Sequence, residues 1–270
     1  MDLTSITSLE QIYTYLIAAG LALSRIVGVM AVLPTFTRLG VTGLLRNGIA
    51  LAVTIPMVPV IAATLGTEPL TFGKIAALGF KEITVGVVIG LVLGVPFWAA
   101  EAAGDILDLQ RGSSLATVID PSSTTEASIT GTFLGLVIVA LYYVSGGLFM
   151  TLRALYASYA IWPISRFVPL FGLDAGRLLL GILDEIMTMG LMLVVPIVIC
   201  LFLADILLAL VSRAGPHFNI FALSLAVKNL VFATLLVLYS GFLATYMSRD
   251  LTTLLGASRW LETLGKSTSP

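Results

Sequence analysis

The chain has 270 residues, of which 58% are hydrophobic and 11% are charged, and its formal net charge is −1. A soluble domain carries about 25% charged residues, so this composition excludes an ordinary soluble protein and predicts an all-α protein of the membrane type. The near-zero net charge gives no reason to expect a nucleic-acid partner.

Side chains that carry chemistry are scarce in this sequence. Cys200 and His217 are the only cysteine and the only histidine, which leaves no donor set typical of a metal site. The sequence also contains no glycine-rich phosphate loop and no Ser-His-Asp arrangement. We therefore expect that the protein is not an enzyme and has no catalytic residues, no cofactor and no metal.

Six apolar runs are long enough to cross ~30 Å of hydrocarbon, which takes roughly 17–25 helical residues. They cover residues 11–33, 49–65, 83–100, 131–152, 186–211 and 221–247. A helix satisfies its own backbone polar groups in lipid, so we predict about six long apolar helices arranged as helical hairpins. The excess of Lys and Arg in alternate connections favours a cytoplasmic N-terminus and C-terminus.

Glycines recur at every fourth residue in the third and fourth apolar runs. Gly86, Gly90 and Gly94 form two overlapping GxxxG patterns, and Gly131 and Gly135 repeat the spacing. Such a stripe lets another helix backbone approach closely. The approaching helix belongs either to another subunit or to the same chain, and the sequence supports both interpretations equally.

Charged residues within apolar runs are costly to bury unless they are paired. Arg25 has no obvious partner in its own helix. Glu101, Asp105 and Asp108 fall on one helical face, which is either solvated or a contact for a basic partner or for Arg25. We interpret Lys81–Glu82 as the end of a membrane span.

The stretch RGSSLATVIDPSSTTEAS, residues 111–128, is a polar island between apolar runs. Asp120-Pro121 is typical of a turn, and Ser123 and Glu126 have the spacing of a capping box for the next helix. Gly112 marks a break after the preceding helix. The residues alone favour an external loop, with a segment folded back into a cavity as the alternative.

The last two apolar runs are joined by SRAGPHFN, residues 212–219, a short connection that predicts a tight helical hairpin. Asp205 lies 11 residues before Pro216, and Lys228 lies 12 residues after it. Folding the chain there brings both charges to the same depth, so we predict a buried charge pair. The pair is either a structural contact, which we favour, or the proton relay of a transporter.

Two stretches resemble signatures of the FliR/SctT family, the export-gate subunits of bacterial flagella and of type III secretion injectisomes. GDILDLQRGSSLATVIDP (104–121) is similar to the family pattern D-x-Q-x-G-x-S-x-A…DP. LVSRAGPHFNIFALSLAVK (210–228) is similar to the loop motif S-R-x-x-P-x-x-N-[VI]-F…K. The residues that match the loop motif are Ser212, Arg213, Pro216, Asn219 and Phe221.

The resemblance covers almost the whole chain, because LPTFTRLGVTGLLRNGIALAVTIPMVP (33–59) adds a third match in the expected order. One departure is LSLAVK, which lacks the proline that the family often has before the residue matching Lys228. The stretch YASYAIWPISRF is more similar to the injectisome branch than to the flagellar branch.

The resemblance implies a subunit of a helical export-gate complex in the bacterial inner membrane, partly raised into the periplasm. Such a gate forms the pore that unfolded polypeptides enter for export. The implied partners are FliP/SctR-like, FliQ/SctS-like and FlhB/SctU-like subunits, the exported polypeptides and membrane lipid. Residues 1–173 would be a FliP/SctR-like part, 174–250 a FliQ/SctS-like helical hairpin and 251–270 a polar tail.

In that family the loop after the third helix plugs the closed pore. Carried over to this sequence, the plug loop would span 110–122. It would include Gln110, Arg111, Gly112, Ser113, Ser114, Asp120 and Pro121. The loop would then be polar because it lines an aqueous passage, and small because it must move aside.

Three functions compete at this point. The first is the export-gate subunit, which would need copies of its partner subunits. The second is a stand-alone six-span secondary transporter that uses Asp205 and Lys228 and works as a single purified chain. The third is a membrane scaffold without a pore, which would make no contact between substrate and residues 113–119.

Overall fold

The computed structural model describes residues 3–65, 71–112, 128–164, 175–214 and 220–253. The regular structure within these ranges is helical, which confirms the predicted all-α class. The helices are α1 (Leu3–Val32), α2 (Pro34–Arg38), α3 (Gly43–Thr54), α4 (Val58–Thr64), α5 (Phe72–Arg111), α6 (Ile129–Val144), α7 (Gly147–Ile161), α8 (Ala175–Ala214) and α9 (Ile220–Thr253). A short 3-10 turn, Ile55–Met57, joins α3 to α4.

Five helical segments in the described part of the chain are long and apolar enough to cross a membrane, and a sixth follows if α6 and α7 count together. The chain therefore has the helices of a multi-pass membrane protein. The α6–α7 pair bends by 75° because Gly146, with φ of +76°, interrupts the helix. The predicted run 131–152 is thus two helices at an angle rather than one straight helix.

The third predicted run, 83–100, is the middle of a much longer helix. Helix α5 has 40 residues, which corresponds to a length of about 60 Å, roughly twice the hydrocarbon thickness. Lys81–Glu82 lie inside it with 5% and 0% of their side chains exposed, so they do not end the helix, and their interpretation as the end of a membrane span stays a prediction. Hydropathy discounted the polar turns of a helix that continues through them.

Intrachain contacts divide the described residues into two compact units. Unit 1 holds those of 3–94 and 146–182 together with Thr253, and unit 2 holds those of 95–145 and 183–252. Helices α5 and α8 each contribute to both units. The predicted division into 1–173, 174–250 and 251–270 follows the resemblance to partner subunits, which intrachain contacts do not test, and it stays a prediction.

In unit 1, α1 packs on α3, α4 and α5. The core residues are Ala18, Leu21, Ala22, Ile61, Leu78 and Ile164. A Cβ on Gly86 would overlap the carbonyl oxygen of Arg25, and a Cβ on Gly90 would lie 2.9 Å from the carbonyl oxygen of Val29. These glycines therefore admit a helix of the same chain, and Gly94 is buried further along α5.

In unit 2, the glycines of α6 admit α5 to close contact. A Cβ on Gly104 would overlap the backbone of Gly131, and a Cβ on Gly135 would lie 3.2 Å from the Glu101 side chain. The buried core of this unit includes Phe97, Leu107, Leu134, Ile138, Tyr142, Ile197 and Leu201. The second glycine pair thus also serves packing within the chain.

Helices α8 and α9 leave most of their apolar surface uncovered. Only 28% of the most apolar 18-residue stretch of α8, and 6% of that of α9, is buried. Leu230, Val237 and Leu238 of α9 are each at least 70% exposed. Apolar faces of this kind require lipid or another protein as a neighbour.

Candidate functional site

The carboxylate of Asp108 connects the end of α5 to the start of α6. It is only 4% exposed, and it accepts hydrogen bonds from Ser128 Oγ at 2.7 Å, Thr130 N at 3.0 Å and Thr130 Oγ1 at 2.6 Å. The guanidinium of Arg111, one turn later in α5, forms an ion pair with it. We call Asp108, Arg111, Ser128 and Thr130 the loop-base cluster, because they stand on both sides of residues 113–127.

Local sequence explains why the two helices end at this cluster. Gly112 has φ of +78°, the left-handed conformation that commonly terminates a helix, and its N–H donates to Leu109 O at 3.1 Å. Ser128 caps α6, since its Oγ accepts from the N–H of Gly131 at 2.8 Å. The predicted capping box of Ser123 and Glu126 is therefore not the N-cap of this helix, which is Ser128. Ser123 and Glu126 lie outside the described residues.

Arg111 extends the cluster to α9. Its Nη2 donates to Thr130 Oγ1 at 3.1 Å and its Nη1 donates to Asn229 Oδ1 at 3.3 Å. The guanidinium carbon lies 4.1 Å from the centre of the Phe232 ring, a cation–π arrangement. One side chain thus joins α5, α6 and α9.

Lys228 binds the last turn of α5 and Asp205 together. Its Nζ lies 2.8 Å from Asp205 Oδ1 and donates to the backbone oxygen of Gln110 at 2.9 Å. Gln110 O is one of the terminal carbonyls of α5 that lack a helical partner. The Gln110 side chain also donates to Asp205 Oδ2 at 3.5 Å. The Asp205 side chain is 34% exposed and that of Lys228 is 14% exposed, so the pair is only partly buried.

The structure describes some of the predicted plug and motif residues and not others. Gln110 and Arg111 belong to the last turn of α5 rather than to a loop. Ser212 donates to the backbone oxygen of Ala209 at 2.7 Å, and Arg213 is exposed at the end of α8. Outside the described residues lie Ser113, Ser114, Asp120, Pro121, Pro216, Asn219 and the side chain of Phe221.

A second charged cluster, in unit 1, was not predicted from the sequence. Arg25 Nε lies 2.6 Å from Glu82 Oε2, with 0% of either side chain exposed, and Lys81 Nζ lies 2.8 Å from Glu82 Oε1. We call Arg25, Lys81 and Glu82 the buried cation cluster. The alternative in which Arg25 contacts the acidic face of α5 is wrong, because the carboxylate bound to Arg25 is that of Glu82, and Asp108 belongs to the loop-base cluster.

Both cations of that cluster hold the end of α7. Arg25 donates to Ser158 Oγ at 2.9 Å and to the backbone oxygen of Trp162 at 2.8 Å. Lys81 donates to the backbone oxygens of residues 163 and 164 at 3.0 and 3.1 Å. Cations at helix C-terminal carbonyls are favourable. The usable sequence signal was that Arg25 lies within an apolar run and needs a partner of opposite charge, which Glu82, at the edge of another apolar run, could provide.

Residues 16–254 match the family model described as bacterial export proteins, family 1. The chain belongs to the bacterial export proteins, family 1. The match spans α5, the loop-base cluster and the Lys228 contacts, so the site described here lies within the shared part of the family.

Relatives of this bacterial export protein include secretion and flagellar proteins. The Yop proteins translocation protein T of Yersinia pestis is 32% identical over 230 residues, covering 85% of this chain and 88% of the relative. The secretion system apparatus protein SsaT of Salmonella typhimurium is 29% identical over 246 residues, covering 88% and 93%. The flagellar biosynthetic protein FliR of Caulobacter vibrioides is 25% identical over 232 residues, covering 86% and 92%. The resemblance to the FliR/SctT family is confirmed.

Proposed function

We propose that this bacterial export protein is a non-enzymatic subunit of a type III secretion export gate. It forms part of the inner-membrane pore that unfolded proteins enter for export, and the loop 110–122 plugs that pore when it is closed. One observation supports the plug above all. Asp108 binds both sides of this polar segment at once, through Arg111 before it and Ser128 and Thr130 after it.

The contacts of Asp108 with residues on both sides of the segment are consistent with a plug. The backbones of α5 and α6 approach closely at Gly104 and Gly131, so the segment leaves and re-enters the helical frame at neighbouring positions. A plug requires that α5 and α6 stay in contact when the pore opens, and the contacts that hold the two helices together are made by residues outside the segment. The segment is rich in Ser, Thr and Ala, side chains small enough to pass through a narrow channel.

Partner subunits are the second part of the proposal. We propose FliP/SctR-like, FliQ/SctS-like and FlhB/SctU-like chains as neighbours, with lipid around the outside of the assembly. Support comes from the uncovered apolar faces of α8 and α9, which a partner helix would bury. We also favour an injectisome over a flagellum, because the two secretion relatives described above share more identity with the chain than the flagellar one does.

The plug is tested by deleting residues 113–119 and measuring ion conductance of the co-expressed assembled complex in planar bilayers. The deletion should raise conductance of the closed complex while its partner subunits still co-purify. As a control, seven residues are removed from the C-terminal tail, 262–268, and conductance should stay at the wild-type level. A deletion complex that assembles and remains ion-tight would refute the plug.

The alternative is a stand-alone secondary transporter that relays protons through Asp205 and Lys228. The pair has ion-pair geometry at 2.8 Å, but the Lys228 ammonium is also bound to Gln110 O, a contact that favours a structural role. The purified chain alone, reconstituted in liposomes, separates the two functions. Proton-coupled uptake of a solute by the single chain would favour the transporter, and its absence with conductance only in the assembled complex favours the gate.

A further inference from the structure

Two contacts within unit 2 show how α8 lies along α5. At the first, a Cβ on Gly190 would lie 2.9 Å from the carbonyl oxygen of Ala99 and 3.7 Å from the Cβ of Ala102, so the two backbones approach closely. At the second, Asp205 accepts a hydrogen bond from the Gln110 side chain at 3.5 Å. Residue numbers rise together along both helices, so α5 and α8 run parallel here.

The surface between these two contacts is apolar. Every buried residue of α8 from Ile186 to Ala204 is apolar or glycine, and the α5 residues buried over this length include Ala99, Ala103 and Leu107. Burial of apolar surface is non-directional. A slide of α8 by one helical turn, about 5.4 Å, therefore exchanges apolar neighbours for other apolar neighbours, and this surface defines the axial position of α8 only weakly.

The polar contacts at the end of α5 depend strongly on axial position, because a hydrogen bond requires a short donor–acceptor distance. Lys228 Nζ donates to Gln110 O at 2.9 Å, and Arg111 donates to Asn229 Oδ1 at 3.3 Å. A slide of the α8–α9 hairpin by one turn would break both of these bonds. The Asp205–Lys228 pair, which joins α8 to α9 at 2.8 Å, would survive the slide.

We propose that Lys228, Asp205 and Asn229 form a register lock, which holds the α8–α9 hairpin at one axial position on α5. Polar side chains at one level of an apolar helix interface select a register in this way. The uncovered apolar faces of α8 and α9 are then presented to their neighbour at one fixed level. The inference goes beyond the proposed function and does not depend on it, because it concerns contacts within the chain.

Close packing at Gly190 is the competing explanation for the register. A slide would bring the larger Ile186 or Val194 to the carbonyl oxygen of Ala99, where only a glycine fits without a shift. If close packing alone sets the register, Gly190→Ala loses it and Lys228→Met keeps it. The register lock predicts that Lys228→Met loses it.

Double electron–electron resonance between two spin labels measures the axial position in the full chain, purified in detergent with the Cys200→Ser change. The labels are attached at Val144→Cys and Leu210→Cys, since these side chains are 86% and 56% exposed. Helix α6 runs antiparallel to α5, and α8 continues past Asp205, so the vector between the labels follows the helix axes. A slide by one turn then changes the distance by about 5 Å.

We expect one narrow distance distribution in the labelled parent chain and in Lys228→Arg, which keeps the charge and the donors. Lys228→Met should add a second component displaced by about 5 Å, one helical turn. Arg213→Met is the matched control, because it removes an exposed cation from the same hairpin. Its distribution should equal that of the parent chain.

An unchanged distribution in Lys228→Met would overturn the register lock, and a shift in Gly190→Ala alone would assign the register to close packing. A shift in Arg213→Met as large as that in Lys228→Met would also overturn the lock, since the effect would then follow net charge. If Lys228→Met does not fold because Asp205 is left unpaired, the double variant Asp205→Asn, Lys228→Met removes both charges and decides by the same measurement.

Discussion

The buried cation cluster of unit 1 and the loop-base cluster of unit 2 contain similar side chains but differ in their exposure and in the groups that they bind. In the first, Arg25 and Glu82 are fully buried, and both cations hold backbone oxygens at the end of α7. In the second, Asp108 is buried, its partner Arg111 is 13% exposed, and the cluster flanks a polar segment. The neighbouring Asp205–Lys228 pair of unit 2 is more open, since the Asp205 side chain is 34% exposed.

The difference in exposure indicates which contacts are needed for stable helix packing and which can be replaced by contacts with water. Removing a partner from a fully buried pair leaves a charge with no access to water. A pair with one partner partly exposed can trade its protein contact for water at little cost. We therefore expect charge changes in the buried cation cluster to cost more stability than charge changes in the Asp205–Lys228 pair.

The largest effect is expected for Arg25→Met. This change leaves the Glu82 carboxylate buried with only Lys81 as its charged partner and frees the Ser158 and Trp162 acceptors, so stability should fall by about 3–5 kcal/mol. Unfolding of the purified chain in detergent, followed by circular dichroism, measures it. Arg213→Met, at an exposed position, is the control and should stay within about 0.5 kcal/mol. Equal stability of the two variants would contradict the conclusion that Arg25 stabilises the helix packing of unit 1.

A smaller loss is expected for Gly86→Ala, which tests the helix contact beside the same cluster. The new Cβ would overlap the carbonyl oxygen of Arg25, so α1 and α5 must separate, at a cost of about 1–3 kcal/mol. Gly79→Ala, in the same helix, meets only Ser24 Oγ at 4.0 Å. That control should stabilise the helix by about 0.5–1 kcal/mol. Opposite signs in thermal melts of the two variants are the expected result, and a harmless Gly86→Ala would mean that the helices tolerate a wider spacing.

The smallest stability effect is expected for Asp205→Asn in unit 2. Asp205 is partly exposed and Lys228 retains its bond to Gln110 O, so the loss should be about 0.2–1 kcal/mol. High salt should shrink the difference from wild type further, since partly exposed pairs are screened. A loss as large as that of Arg25→Met would show that the two clusters do not differ in kind.

Much of the fold could be predicted because an apolar run long enough to cross a membrane must satisfy its own backbone polar groups, which a helix does. Helices were expected, and helices fill the described ranges. The extent of α5 was not, since hydropathy stops at the polar residues of a helix while backbone hydrogen bonding continues through them. The break at Gly146 was missed for a related reason, because one glycine barely changes the hydropathy of its surroundings.

The two charge clusters show where spacing in the sequence is informative. Asp205 and Lys228 flank a short connection, so counting outward from Pro216 was enough to bring them together. Arg25 and Glu82 are separated by 57 residues and several helices, and no count along the chain predicts their contact. Asp108 was placed on the correct helix, but its burial depends on Ser128 and Thr130, which the sequence placed inside or beside a polar island.

The close approach of α5 and α6 at Gly104 and Gly131 has a consequence for how the segment between them can vary. The 15 residues 113–127 begin and end next to the same carboxylate, so their closure entropy grows only with the logarithm of their number. Doubling that number would cost about 0.6 kcal/mol. Insertions and deletions there should therefore cost the folded state little, so folding alone sets no narrow limit on the length of this segment.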